Sequence, residues 1–150
     1  MEIENKYLVR ALPKNLKVVK ISKIAQYYFM LEGKSEARVR RKETGGATKY
    51  YLTIKVGEGL VRTEVEIEIT KAQFDELART TNRVVAKTRI VTEEGFEIDI
   101  YEGSLTGLII VEKEFSSEEE ANNFVPPSWF GENVTQDKRY KNKNLATKGL

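Results

Sequence analysis

The segment MEIENKYLV sets Glu2, Glu4 and Lys6 at every second position. On a β-strand that spacing turns all three side chains to one face. Similar files of charge recur down the chain. Arg38 and Arg40 alternate in EARVRR, and Lys55 ends YYLTIK. Arg62, Glu64, Glu66 and Glu68 share one side of LVRTEVEIEI, while Lys87 and Arg89 share one side of VAKTRI. Glu97 and Asp99 follow in FEIDIY, and Glu112 and Glu114 in VEKEF. Like charges thus repeat along a strand, where same-face neighbours lie roughly 7 Å apart. A face meant only for water is better served by alternating signs. Clustered lysine and arginine grip phosphate oxygens, arginine with a two-pronged fork. Clustered carboxylates hold the divalent cations that a phosphate chain requires. Together the two sets have one chemical reading, a metal-assisted site for a chain of phosphates.

Composition narrows the chemistry. The chain has no cysteine, so disulfides, thiolate catalysis and thiolate-bound zinc are excluded. It has no histidine, which removes the commonest general base and the commonest transition-metal ligand. Any metal must be a hard cation held by carboxylates, such as Mg²⁺ or Mn²⁺. Charged residues make up 32% of the chain, yet the net charge is only +2. That balance argues against a basic surface that coats nucleic acid. At 150 residues one domain is expected, covering 1–150. No basic-then-apolar leader opens the sequence, and the apolar run LIIV at 108–111 is far too short to span a bilayer. A cytoplasmic protein without membrane partners is the expectation.

The elements that must position these residues read mainly in period two. Strands are expected at 2–10, 22–31, 36–44, 48–56, 61–69, 84–93, 96–102 and 107–115. Gly45-Gly46, Gly57-Glu58-Gly59, Glu94-Gly95 and the GSLTG stretch at 103–107 fall where turns are needed. Eight strands joined mainly by hairpins predict an α+β, mainly β fold, an antiparallel barrel or strongly curved sheet. Three helices complete it. TKAQFDELARTT carries Thr70 and Gln73 in capping-box spacing, with Phe74, Leu77 and Ala78 on one face. SSEEEANNF is expected to start from Ser116, with Glu119 at the third position. VTQDKRYKNKNLA opens with Thr135 and Asp137 and turns basic, as the helix dipole favours. The helices are expected to pack outside, over Val65, Ile67 and Ile69 and over Phe96, Ile98 and Ile100. The charged faces would then point inward, where they need water, metal and a polyanion.

These motifs resemble, in order, those of the CYTH domain, the triphosphate tunnel metalloenzyme family. EIENKYL is similar to its Glu-x-Glu-x-Lys signature, EARVRR to its paired-arginine strand and YYLTIK to its lysine strand. GLVRTEVEIEI, VAKTRI, FEIDIYEG, LIIVEKEF and the tail PPSWFGENVTQDKRYKNKNLA follow. The resemblance covers nearly the whole chain. It implies an eight-stranded antiparallel β-barrel forming a tunnel, with metal-dependent work on a triphosphate. By position it implies phosphate binding by Lys6, Arg38, Arg40, Lys55, Lys87 and Arg89, with Arg62 assisting. Glu2, Glu4, Glu112 and Glu114 would serve one metal, while Glu64, Glu66 and Asp99 would lie nearer a second metal or the attacking water. Lys87 would also act in catalysis. Two Mg²⁺ or Mn²⁺ ions per site are implied.

Without histidine or cysteine, neither can carry a phosphoryl group, so direct in-line attack by water is expected. The compact chain shows no base-reading insertion, which favours inorganic triphosphate (tripolyphosphate) as substrate. A nucleoside or thiamine triphosphatase, a class IV-type adenylyl cyclase and a non-catalytic polyphosphate- or nucleotide-binding module are the alternatives. Oligomeric state stays open between monomer and homodimer. Glu68 and Glu97 are read as extending charged faces or pairing with arginine, and Tyr27, Tyr28, Tyr51 and Tyr101 as packing. Trp129 and Phe130 are read as packing of helix on barrel. Tyr140, Asn142 and Asn144 are read as docking the last helix, ahead of a role in gating.

Overall fold

The computed structural model describes residues 3–29, 33, 35–56 and 63–150. Eight strands run β1 (Ile3–Leu8), β2 (Val18–Phe29), β3 (Glu36–Thr44), β4 (Ala47–Val56), β5 (Thr63–Ile69), β6 (Val84–Thr92), β7 (Glu97–Tyr101) and β8 (Ile109–Phe115). All pair antiparallel in one sheet of order β1-β8-β7-β6-β2-β3-β4-β5. Hairpins join β2 through β5 and β6 through β8, while β1 returns to β8 and β6 returns to β2. The β3–β4 hairpin turns at Gly45 and Gly46, with φ of 57° and 81°. Two successive positive φ values are what a primed two-residue turn requires, and glycine adopts them without steric cost. The strands that end the order, β1 and β5, do not pair with each other among the described residues. A closed barrel was expected; the observed element is an open sheet whose one face lines a cavity.

The other face is apolar and largely covered. Over the β1, β8 and β7 side, Tyr7, Val9, Ile98 and Val111 pack with Phe96 and Phe130. The cover there is the 124–131 link, where Phe124, Trp129 and Phe130 stack edge-on around Phe96. The link lies close enough that the Gly131 N–H donates to the Leu8 carbonyl at 2.6 Å. A Cβ at Gly131 would meet that same oxygen at 2.7 Å, so only glycine fits. Over the β3 and β4 side, α1 (Lys71–Ala78) seats Phe74 and Ala78 on Val39, with Leu52 and Ile69 beside them. Its N-terminus carries the expected capping box: Thr70 Oγ1 accepts from the Gln73 N–H, and Gln73 Oε1 accepts from the Thr70 N–H.

Four expectations change. α2 (Glu118–Asn123) is capped by Ser117, not Ser116, because Ser117 Oγ accepts from the Glu120 N–H at 3.1 Å. The Ser116 N–H instead donates to the Glu120 carboxylate. The tail is not one helix from Thr135. Thr135 Oγ1 accepts from the Lys6 N–H, Asp137 caps a 3₁₀ turn at Lys138–Tyr140, and α3 (Asn142–Lys148) follows. The helices do not all pack outside, since Leu145 of α3 sits on Tyr28, Val85, Tyr101 and Ile110 of the cavity-lining face. Nor are Val65 and Ile67 covered: α1 reaches Ile69 only, and they stay 53% and 51% exposed on edge strand β5. Among the described residues, no helix is long and apolar enough to cross a membrane.

This packing sorts two aliphatic residues of the same outer face. Ile98 is fully buried, and Ile98→Ala should destabilise by about 2–5 kcal/mol, the transfer loss plus the cavity left behind. Val65→Ala should change stability by about 0.5 kcal/mol or less. Urea denaturation of both variants checks the contrast, and equal midpoints would contradict it.

Candidate functional site

The cavity has a volume of about 840 Å³ and is lined by charged side chains from seven of the strands. Cross-strand register explains why they share a face. Lys6 stands opposite Glu112 and Glu4 opposite Glu114. Glu97 stands opposite Glu112, and Arg89 opposite Asp99. On the far side Glu36 stands opposite Lys55, and Lys55 opposite Glu64. The result is a banded surface. Carboxylates from β1, β8 and β7 form one flank, and Glu64 and Glu66 of β5 form the other. Between them lie the cations of β6, β3 and β4, namely Lys87, Arg89, Arg38, Arg40 and Lys55. β2 crosses the middle with neutral Gln26 and Tyr28, joined by a 2.9 Å hydrogen bond from Gln26 Nε2. Burial pushes the Tyr28 hydroxyl up to about 12.

The bands touch through ion pairs. Arg40 Nη2 lies 3.6 Å from Glu66 and Arg89 Nη1 3.3 Å from Glu97, while within the β1–β8 flank Lys6 Nζ lies 3.6 Å from Glu112. Asp99 is the exception in kind. It has no solvent exposure, and it accepts from Lys87 Nζ at 2.8 Å and from Arg89 Nε and Nη2 at 2.8 and 3.0 Å. Burial works to raise its carboxyl, but the two cations hold it below the usual carboxylate range. Lys87 is lowered by its own complete burial against the pull of Asp99. Glu97 moves the other way: burial raises it, Arg89 opposes, and the neighbouring carboxylates Glu112, Asp99 and Glu114 add to the rise. Arg40 is lowered by burial and by Arg38 beside it.

Two guanidinium nitrogens show what is uncompensated. Arg38 Nε and Arg40 Nε are buried and have no hydrogen-bond partner among the described residues. Buried donors are almost always satisfied, so orphaned charged donors at a cavity wall mark a surface that an anion completes. The donor set for a metal is hard oxygen, which suits Mg²⁺ or Mn²⁺. Among the described residues, no three carboxylates are grouped closely enough to hold a metal ion.

Glu4, Lys6, Arg38, Arg40, Lys55, Glu64, Glu66, Lys87, Arg89, Glu112 and Glu114 all line the cavity; Glu2 and Arg62 lie outside the described residues. Asp99 does not line the cavity; it is fully buried and bonded to the lining residues Lys87 and Arg89. Sequence reasoning named Asn142 and Asn144 for docking the last helix but missed the lysines of the tail. Lys138, Lys141, Asn142, Lys143 and Asn144 also line the cavity, and the Tyr101 hydroxyl bonds Asn142 Oδ1 at 2.6 Å. The basic density of KRYKNKN was the available signal. Glu36 was missed as well, although it shares the alternation of Arg38 and Arg40.

No family model matches the chain. It is 42% identical over 151 residues to an inorganic triphosphatase of Nitrosomonas europaea, covering 97% of this chain and 96% of that protein. An inorganic triphosphatase of Acetivibrio thermocellus is 35% identical over 127 residues, covering 81% of this chain and 78% of the relative. A crystal structure of an inorganic triphosphatase superposes with a TM-score of 0.76 at 41% identity, covering 97% of this chain and 94% of the other.

The orphaned arginines predict anion binding that stabilises the fold. Inorganic phosphate should raise the melting midpoint above that in chloride at equal ionic strength. At tenfold excess over Kd the gain is about 1.4 kcal/mol, worth roughly 4–5 °C for a chain of this size. Arg38→Ala should shrink the phosphate effect. Identical melting in the two salts would count against an anion site.

Proposed function

Because the chain belongs to the family of the inorganic triphosphatases, we propose that it hydrolyses inorganic triphosphate (tripolyphosphate) to diphosphate and phosphate within the charged cavity. The observation that carries this reading is the banded face itself, a central strip of cations with two orphaned guanidinium donors between flanks of carboxylate. A phosphate chain complements the strip, and the divalent cations that accompany such a chain complement the flanks. Within the family the chain is assigned to the CYTH, or triphosphate tunnel, type. That type is a closed barrel, which would set the β5 edge beside β1 and bring Glu64 and Glu66 toward Glu4. It acts in the cytoplasm on a free small molecule.

Hydrolysis proceeds by in-line attack of water on a terminal phosphorus. The water oxygen bonds to phosphorus as the bridging P–O bond breaks, and diphosphate leaves with that bridging oxygen. Arg38, Arg40 and Lys55 hold the chain extended along the cation band and keep the attacked phosphorus in line. Lys87 and Arg89 donate to the oxygens on which charge accumulates; little water competes with them there, so each bond counts for more than in solution. Lys6 adds a further donor from β1. Glu4, Glu112 and Glu114 on one flank, and Glu64 and Glu66 on the other, are the residues that would hold the metals; Glu2 joins the first group. Divalent ions held there would neutralise phosphate charge and make the attacking water more acidic. Glu64 or Glu66 takes the proton that the water releases.

Phosphate release from tripolyphosphate, ATP, thiamine triphosphate and pyrophosphate, each with Mg²⁺, Mn²⁺ or chelator, tests the assignment. Tripolyphosphate should be cleaved fastest, and chelator should abolish turnover. Full activity in metal-free buffer would sink the mechanism. A second comparison tests the opening strand. Glu4→Gln should lower turnover at saturating Mg²⁺ at least tenfold, or about 1.4 kcal/mol of transition-state stabilisation. Asn5→Asp adds a carboxylate to the opposite face, across from Lys113, and should leave turnover intact. Equal activities for the two would reduce the file of charges on β1 to a solvated strand.

A further inference from the structure

We infer that Asp99 is a positioning residue, a buried counter-charge that holds Lys87 and Arg89 in place for the phosphate chain, and that it ligates no metal. The inference rests on the triphosphatase reading above. Asp99 shares its alternation with Glu97, and by spacing alone both belong with the glutamates that would hold metal. Their surroundings separate them. Glu97 is half-buried on the cavity wall, with an ion pair to Arg89 at 3.3 Å. Asp99 is sealed, with Lys87 Nζ at 2.8 Å, Arg89 Nε at 2.8 Å and Arg89 Nη2 at 3.0 Å. Both of its oxygens are committed to cationic donors.

A metal at Asp99 would have to displace at least one of these cations inside a region closed to water. It would also sit against the positive charge of the other. Separating a buried pair in this way costs several kcal/mol, because the released charge is left unpaired. The ion pairs of Glu66, Glu97 and Glu112 are longer and partly exposed, so these three carry no such obstacle.

The geometry also shows what Asp99 does. It grips Arg89 along the Nε–Nη2 edge, which fixes the guanidinium plane and leaves Nη1 on the cavity side toward Glu97. It takes one donor direction from the Lys87 ammonium, which keeps two more. The Lys87 side chain is only 1% exposed, and an ammonium so deeply buried needs a counter-charge close by. Asp99 thus holds in advance two cations that would otherwise have to be ordered when substrate binds.

Calorimetric binding of tripolyphosphate to Asp99→Asn without metal, alongside direct titration of Mn²⁺ by electron paramagnetic resonance, tests this without any turnover assay. Tripolyphosphate affinity should fall about tenfold or more, while Mn²⁺ affinity stays within about twofold of the parent. A tenfold loss of Mn²⁺ affinity with tripolyphosphate binding intact would make Asp99 a ligand and overturn the inference. A role confined to stability would lower the unfolding midpoint and leave both affinities unchanged, which overturns it equally. If Asp99→Asn does not fold, Asp99→Glu answers the same question, because it keeps the charge and displaces the two-point grip by one methylene. Its tripolyphosphate affinity should fall about tenfold, and parental affinity would overturn the inference. A parent that binds tripolyphosphate yet releases no phosphate would instead count against the proposed function and leave this test standing.

Discussion

Charge compensation on one face of a sheet governs this molecule. Lysine and arginine occupy the central strands of that face, and carboxylates occupy the strands on either side. Neither set is stable alone in a partly enclosed cavity, because unpaired charge removed from water is costly. The ion pairs Arg40–Glu66 and Arg89–Glu97 join the bands where they meet, and Lys6–Glu112 lies within the β1–β8 flank. They are comparatively long, at 3.3–3.6 Å, and partly open to the cavity. The Asp99 clasp differs: it is short, sealed and built from charge-assisted bonds on both carboxylate oxygens. The site therefore combines one fixed ionic contact with several longer, partly exposed ones.

The rest of the fold supports that arrangement from behind. Because most of the lining face is charged, Tyr7 of β1, Ile98 of β7 and Val111 of β8 turn to the opposite side, where Phe96, Phe124 and Phe130 cover them. On the β3 and β4 side a single short helix performs the same task through Phe74 and Ala78. The cover stops short of the β5 edge, leaving Val65 and Ile67 in solvent. The tail is the one element that crosses to the charged face. It can do so because that face turns apolar at one end, where Tyr28, Val85, Tyr101 and Ile110 receive Leu145. Lysines and asparagines of the same segment are thereby brought to the cavity wall.

Much of this was legible before any coordinates. Period-two alternation decides which side chains share a face, so the separation of Glu64 and Glu66 from Val65 and Ile67 follows from strand geometry alone. Local hydrogen bonding likewise settles the Thr70–Gln73 box and the Gly45-Gly46 turn. The absence of histidine and cysteine limits the chemistry to oxygen ligands and to lysine and arginine. What sequence could not supply depends on pairing between distant segments. Whether Ser116 or Ser117 caps α2 turns on which of them reaches the Glu120 N–H. Whether the sheet closes turns on β1 and β5, which are far apart in sequence and at opposite ends of the strand order. Glu97 and Asp99 have the same spacing and the same charge, yet only Asp99 faces both Lys87 and Arg89 with no water between them. Alternation determined that both carboxylates lie on the charged face. Register with β6, and the depth at which each residue sits, decided that one stays partly open to the cavity while the other is locked in place.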